Sequence, residues 1–296
     1  MEIRNIAVLV TYNKPQLLEE CLNAILEQST PIDKVVVIDN NSNEQTGKVL
    51  SNFSGDKIVV VKLDSNIGGA GGFNRGMKEA MKLNPTDGLW IMDDDTIPSK
   101  TAFEQIQKTK NTVQNEFSFI CSNVRWTDGK ACIMNIPGPA GIWNEFVQNG
   151  AVKVNMASFV SIYFSSEAIK KVGFPISEFF IWGDDMEYTQ RISKYKDAYF
   201  ANNSIVTHKM ASNQDVNILT ATEDKIPRYF FDIRNKFFIA KSKGFKETLK
   251  FIYQTAKLSM KIVIKSDFKW KKLSAIHRGF WAGVFFNPKI ENYVEN

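Results

Sequence analysis

Short runs of apolar, β-branched residues punctuate the first hundred positions, and each gives way to a polar or glycine-rich stretch. Residues 6–12 (IAVLVTY) predict a buried strand. From Pro15 the period changes. Leu17, Leu18, Cys21, Leu22 and Ile25 recur at helical spacing, so a helix is predicted from Pro15 to about Gln28. Residues 34–39 (KVVVID) and 57–63 (KIVVVKL) predict two more buried strands. A glycine-rich loop, NIGGAGGFNRG at 66–76, then leads into a helix near 74–83, and residues 88–92 (GLWIM) predict a fourth strand. Strands alternating with helices at this spacing predict an α/β domain, a mostly parallel, doubly wound sheet flanked by helices.

Ligands of such sheets sit beyond the carboxyl ends of the strands. Here those ends read Thr11-Tyr12-Asn13, Asp39-Asn40-Asn41-Ser42, 64–72 and Asp93-Asp94-Asp95. All four are polar, acidic or rich in glycine, which predicts one site built from them. Farther along, the pattern predicts a helix at 100–113, a strand at 117–124, loops and short strands over 125–153, a strand at 156–164 and a helix at 166–171. A further helix is expected from Asp184 to about Tyr195, and mostly helix beyond 222.

Composition narrows the class. With 44% apolar and 23% charged residues and 22 Phe, the 296-residue chain has the balance of a soluble globular protein with a sizeable core. Cys21, Cys121 and Cys132 are odd in number and contain no C-x-x-C, which argues for a reducing compartment and against disulfides or a cysteine zinc site. The start, MEIRNIAVLVTYN, shows no signal-peptide pattern, and no apolar run reaches the ~18–20 residues of a membrane span. A cytoplasmic location is therefore expected. The net charge of +5 is unevenly spread: ten lysines against Glu247 and Asp267 give residues 241–272 a charge of +8, leaving the remainder at −3. A near-neutral body without an aromatic-basic surface pattern argues against nucleic acid as a partner.

The glycine run is neither of two familiar phosphate-binding motifs. Gly71 and Gly76 have P-loop separation, but Met77 stands where that loop needs Lys. Gly69 and Gly71 begin a dinucleotide fingerprint that Asn74 breaks. Three adjacent carboxylates after a buried strand repel one another, and a hard cation such as Mg²⁺ or Mn²⁺ would relieve them. Alternation along the chain lets Asp93 and Asp95 share a side while Asp94 points elsewhere. The alternative is a solvated acidic turn, with Thr96 and Pro98 capping the next helix. Asp39 reads either as a nucleoside acceptor or as an Asx-turn. Asp184, Asp185 and Glu187 open a helix, where carboxylates are favourable caps. Yet Phe179, Phe180 and Trp182 beside them would form an apolar wall that can poise a carboxylate as a base. His208 is a candidate third metal ligand or a structural histidine, and His277 has no assigned role. Arg191, Arg228 and Arg234 are candidates to neutralise phosphate, while Tyr229, Phe230 and Phe237 have the spacing of a packed helix face.

In order and spacing, VTYNKP (10–15), VVVIDNNS (35–42), NIGGAGGFNRG (66–76), WIMDDDT (90–96), WGDDMEY (182–188), His208 and RYFFDIRN (228–235) resemble the inverting family-2 glycosyltransferases of GT-A fold. The glycine run, triple Asp and W-G-D-D-x-E segment look most like bacterial galactofuranosyltransferases. The R-Y-F-x-x-x-R-N piece is shared with rhamnosyltransferases of surface polysaccharides. The resemblance implies a Rossmann-like catalytic domain over 1–240 and a basic helical extension over 241–296. It implies that Thr11, Tyr12 and Asp39 hold the uridine. Asn66, Gly68, Gly69 and Arg75, with Asp94 also on the donor side, would lie along the ribose, diphosphate or sugar. Asp93, Asp95 and His208 would hold Mn²⁺ or Mg²⁺. Asp185 would be the base, Asp184 and Glu187 would help position the acceptor, and Trp182 would border it. The implied reaction moves a sugar, galactofuranose from UDP-galactofuranose or alternatively rhamnose from dTDP-rhamnose, to a hydroxyl of a glycan or polyprenyl-linked glycan. A mobile glycine loop would close over the donor.

Two other classes compete. A sugar nucleotidyltransferase would place a basic glycine-rich loop after the first strand, where this chain has TYNKPQ. The other is a non-catalytic carbohydrate- or nucleic-acid-binding protein, and against nucleic acid the acidic cluster would itself repel phosphate without a metal. In the tail, Leu249, Ile252, Ala256 and Val263 lie near one stripe with Lys257, Lys261 and Lys265 interspersed. This pattern fits a helix lying on the anionic inner face of a membrane, a helix packed on the catalytic domain, or a contact between two copies.

Overall fold

A computed structural model describes residues 2–53, 55–214 and 216–295. Asn5–Thr11 (β1) is buried along its whole length, as expected of a strand covered on both faces. Lys34–Asp39 (β2), Ile58–Lys62 (β3) and Gly88–Asp93 (β4) run parallel to it. β2 and β3 extend the sheet to one side of β1 and β4 to the other, so a crevice opens between β1 and β4 where the strand order reverses. Register then fixes what lines that crevice: Thr11 pairs with Asp39, and Val10 with Asp93.

The sheet continues through Thr96–Pro98 (β5), Phe119–Arg125 (β6), Gly138–Pro139 (β7), Ala151–Met156 (β8), Ile162–Ser165 (β9) and Ala198–His208 (β10). The order is β3-β2-β1-β4-β9-β6-β10-β8-β7, with β5 antiparallel on the end of β10. Alternate residues of β1 enter two cores. Ala7 and Leu9 pack under Pro15–Leu26 (α1), Glu44–Asn52 (α2) and Ala102–Thr112 (α4). Ile6, Val8 and Val10 pack under Gly68–Met81 (α3), Ser166–Val172 (α5) and Asp184–Ile192 (α6). The result is a mostly parallel central sheet between two helical layers. Arg228–Ser242 (α7), Phe245–Lys265 (α8) and Lys269–Phe285 (α9) form a C-terminal helical region with its own core around Tyr229, Ile233, Ile262 and Ile276.

Four expectations need correction. β3 is an edge strand, with Val59 and Val60 exposed, so its apolar run does not mark a buried strand. α2 was not foreseen; its sequence, EQTGKVLSN, offers only Thr46 and Leu50 to the interior, and its start is fixed by Asn43, whose side-chain oxygen accepts from Thr46 N at 3.0 Å. The strand expected at 156–164 is two strands, β8 and β9, because residues 157–161 are irregular. Thr96 and Pro98 do not cap α4 but form β5.

Candidate active site

The glycine run is the first surprise at the strand ends. It is not a loop: α3 begins at Gly68 and contains every glycine of the segment. Gly68 has φ +77°, and a Cβ there would run into the carbonyl oxygen of Phe180. Cβ atoms at Gly72 and Gly76 would come within 2.6 Å of Val10 and 2.5 Å of Val8, so these residues let α3 lie close on β1. A Cβ at Gly69 would meet nothing within 4 Å, and Gly69 lines the cleft. A mobile lid made of this segment is thereby replaced by a packed helix start. Asn40 fixes it from β2, its side chain accepting from Ile67 N at 2.9 Å and donating to Gly68 O at 3.0 Å. Asn66 accepts from Gly68 N at 2.8 Å.

A cleft of about 360 Å³ lies against these ends. Thr11, Tyr12, Lys14, Asn40, Asn66 and Gly69 line one part, and Asp93, Asp94, Phe180 and Arg228 another. Arg228 is the arginine candidate that reaches it. Arg75 lies elsewhere, paired with Glu79 at 2.8 Å, so its expected place beside the donor is not where the fold puts it. Arg191 and Glu187 bind each other through two contacts of 2.7 and 3.0 Å, and Arg191 also donates to the carbonyls of Val172 and Phe174. This salt bridge occupies both residues structurally. Arg234 is likewise committed to the carbonyls of Glu178 and Phe179, and burial lowers its pKa to about 10. Asp39 closes the Asx-turn, accepting from Ser42 N at 2.8 Å.

The three aspartates have separate partners. Asp94, buried, accepts from the Thr11 hydroxyl at 2.8 Å and Tyr12 N at 3.2 Å and pairs with Lys14 at 3.2 Å. It therefore ties β1 to β4, and Thr11 spends its hydroxyl on that tie. Asp95 pairs with Lys14 at 2.7 Å and approaches His208 Nε2 at 3.1 Å. Burial alone would raise its carboxyl, but His208 and Lys14 override that and hold it well below the ordinary carboxylate range. Asp93 is pushed well above that range, first by burial and then by Asp95 and Asp94. Asp184 adds to the push, so the acids of β4 and α6 lie within electrostatic reach of one another.

β10 brings His208 to this place. Its last residue pairs with Thr96 of β5, the neighbour of Asp95, and Lys209 N donates to Asp95 O at 2.8 Å. His208 Nδ1 lies 2.9 Å from Asn135 Oδ1, while Asn135 Nδ2 donates to Ser158 at 2.8 Å. An amide oxygen only accepts, so Nδ1 carries a proton toward Asn135, and Nε2 is the nitrogen that faces Asp95. Oxygen and nitrogen atoms of Asp93, Asp95 and His208 all lie within 4.8 Å of one another, a hard-donor set with one imidazole that fits Mn²⁺ or Mg²⁺. The ammonium of Lys14 presently compensates part of the same negative charge. Lys14 and Asn135 were not anticipated as site residues: Lys14 reads as a surface lysine before a helix, and Asn135 sits in an irregular segment without a motif.

The second acidic segment is held under strain. Phe180 and Trp182, bulky residues before α6, have φ of 65° and 62°. Buried Asn235 of α7 clamps them, its Nδ2 lying 2.9, 3.1 and 2.8 Å from the carbonyls of Phe179, Ile181 and Trp182. Phe180 stacks on Phe231, and Trp182 packs on Tyr229. Burial, with the neighbouring Asp185 charge, raises Asp184 to about 8. Burial raises Asp185 to about 6, against the lowering influence of the Met186 backbone N–H and Lys236.

Comparison with known proteins accords with this geometry. Residues 6–130 match the family model for glycosyl transferase family 2. Galactofuranosyltransferase GlfT1 of Mycolicibacterium smegmatis is 24% identical over 270 residues, 82% of this chain and 85% of that protein. S. aureus TarS 1–349 in complex with UDP superposes with a TM-score of 0.56 at 13% identity, covering 94% of this chain and 70% of that one. The chain spans 44% of a longer TarS structure. Mannosyltransferase PcManGT of Pyrobaculum calidifontis, in complex with GDP-Man and Mn²⁺, gives a TM-score of 0.53 at 14% identity, covering 96% of this chain and 76% of that one. The protein thus carries a glycosyltransferase family 2 domain on a GT-A fold, and it is a glycosyltransferase.

Proposed function

We propose that the protein is a metal-dependent, inverting enzyme that transfers galactofuranose from UDP-galactofuranose to a hydroxyl of a glycan or lipid-linked glycan, at the cytoplasmic face of the membrane, in surface polysaccharide synthesis. One observation carries this reading: Asp93 and Asp95 at the end of β4 and His208 at the end of β10, more than a hundred residues further along the chain, bring ligand atoms within 4.8 Å of one another beside a cleft at the sheet's switch point. The likeness to GlfT1 along most of both chains supports the choice of donor. Tyr12, Asn66, Gly69 and Arg228 line the cleft, which supports the reading that they receive the nucleotide. Asp93, Asp95 and His208 would hold a divalent cation, which supplies neutralisation of charge on the departing diphosphate. Asp185, with a pKa near 6, is largely ionised at neutral pH yet basic enough to take the acceptor hydroxyl proton as the oxygen attacks the anomeric carbon from the side opposite the diphosphate. Asp184, raised to about 8, stays protonated and so does not compete as the base. Residues 241–296 form an extension seated on α7.

The test is a donor screen with UDP-galactofuranose, UDP-galactose, UDP-glucose and dTDP-rhamnose, each with Mn²⁺ and then with chelator. Transfer from UDP-galactofuranose that chelator abolishes is expected. Preference for dTDP-rhamnose would overturn the donor assignment, and undiminished transfer in chelator would overturn the metal site.

A further inference from the structure

α8 has two apolar faces, and only one is used. Phe251, Leu258 and Ile262 pack into the C-terminal helical core. On the other side Phe245, Leu249, Ile252, Tyr253, Met260 and Val263 are exposed, Tyr253 by 68% and Met260 by 60%. Their spacings from Phe245 are 4, 7, 8, 15 and 18 residues, which at about 100° per residue gathers them into one stripe, roughly 27 Å long. Lys246, Lys250, Lys257, Lys261 and Lys265 follow the same spacing one step round the helix and make a parallel cationic row. α9 repeats the theme with Trp270, 84% exposed, and with Trp281 and Phe285 eleven and fifteen residues on.

We propose that this outward face of α8 docks on an anionic lipid bilayer. An exposed apolar stripe beside a lysine row is the arrangement of a helix lying in the membrane interface, and tryptophan and tyrosine favour that depth. Among the described residues no helix is long and apolar enough to cross a membrane, so the helix lies on the surface. A second copy of the chain is a poorer occupant, because it would set two five-lysine rows along one contact, with Glu247 the sole acid on each helix. Negative headgroups complement those rows instead. α7 links this face to the cleft: Arg228 at its start lines the cleft, and its end leads through Lys243 and Gly244 into α8. The bilayer would therefore hold the site at a fixed height. This inference stands apart from the identity of the donor.

The test is flotation of the full chain with vesicles of phosphatidylcholine and phosphatidylglycerol, compared with phosphatidylcholine alone, at low and high salt. Binding to the anionic vesicles, weakened by salt, is expected. Tyr253→Glu/Met260→Glu/Val263→Glu should abolish flotation with an unchanged melting curve, since these side chains are exposed. Lys257→Gln/Lys261→Gln/Lys265→Gln should lower partitioning by about fivefold per lysine, roughly 100-fold together. Wild-type protein that stays with the unbound fraction overturns the proposal, as do variants that float like wild type. A dimer in light scattering that the glutamate variant splits, from a wild type that does not float, would assign the face to a second copy.

Discussion

Asn235→Ala tests whether the clamp seen in the structure sets catalysis. Asn235 is fully buried, and its amide reaches three carbonyls of the segment that carries Phe180 and Trp182 into α6. Each of those two residues holds a positive φ that costs on the order of 1–3 kcal/mol. The clamp offsets this cost. A hydrogen bond contributes about 1 kcal/mol net, and a buried carbonyl left unpaired costs about 1–3 kcal/mol. Nδ2 has two hydrogens for three acceptors, so the substitution removes two full bonds' worth of interaction and destabilises the fold by roughly 2–4 kcal/mol. Freed of the clamp, Phe180 and Trp182 relax, and Asp185, three residues beyond Trp182, moves with them. A displacement of about 1 Å at a reacting group costs on the order of 100-fold in rate. Urea unfolding measures the first quantity. The second is read as kcat at a temperature where both proteins are folded. UDP affinity should fall far less than kcat, because most of its proposed contacts come from β1, β2 and α3. A variant within ~0.5 kcal/mol of wild type that also keeps its kcat would refute the reasoning.

Asp185→Asn should lower kcat by about 10²–10⁴-fold while leaving UDP affinity and the melting temperature near wild type, as measured by calorimetry. With saturating metal, kcat/KM should fall on acidification below about pH 6, where Asp185 takes up a proton. Stability should respond in two senses. Raised Asp184 and Asp185 bind protons in the folded state that the unfolded chain lacks, so their contribution grows as pH falls through about 8 and 6 and is complete near 4. Depressed Asp95 contributes fully above about pH 4 and loses its contribution as pH falls further. Urea titrations of wild type and Asp184→Asn should diverge between pH 5 and 8, because only the wild type takes up the Asp184 proton there. Asn135→Ala should weaken Mn²⁺ binding by about 10–100-fold in paramagnetic titrations, because His208 loses the acceptor that fixes its tautomer. Gly68→Ala should disrupt folding, whereas Gly69→Ala should leave the melting curve unchanged and weaken UDP binding, a contrast set by the Phe180 carbonyl against one and open cleft against the other.

The alternation of short apolar strands with helices determined the layered architecture, because buried parallel strands and helix faces write different periods into a sequence. The acidic, glycine-rich strand ends likewise marked the edge at which the cleft lies, since parallel strands must all end on one side. Local signals failed where tertiary context set the outcome. An apolar run could not show that β3 stands at an edge, and α2 has too few buried positions to display a period. The glycines read as a loop because their reason for lacking side chains, Phe180, Val8 and Val10, lies on other elements. The metal-ligand candidates were legible as residue types, and alternation alone put Asp93 and Asp95 on one side. Only the folded chain decided that β5 would bring His208 to Asp95, that Asn135 would fix its tautomer and that Lys14 would reach the same carboxylates. It also decided that Arg228 rather than Arg75 faces the cleft. Periodicity is local and survives in the sequence; a side chain's partner is chosen by packing between segments that lie as far apart as Asp95 and His208, more than a hundred residues, and no local pattern records it.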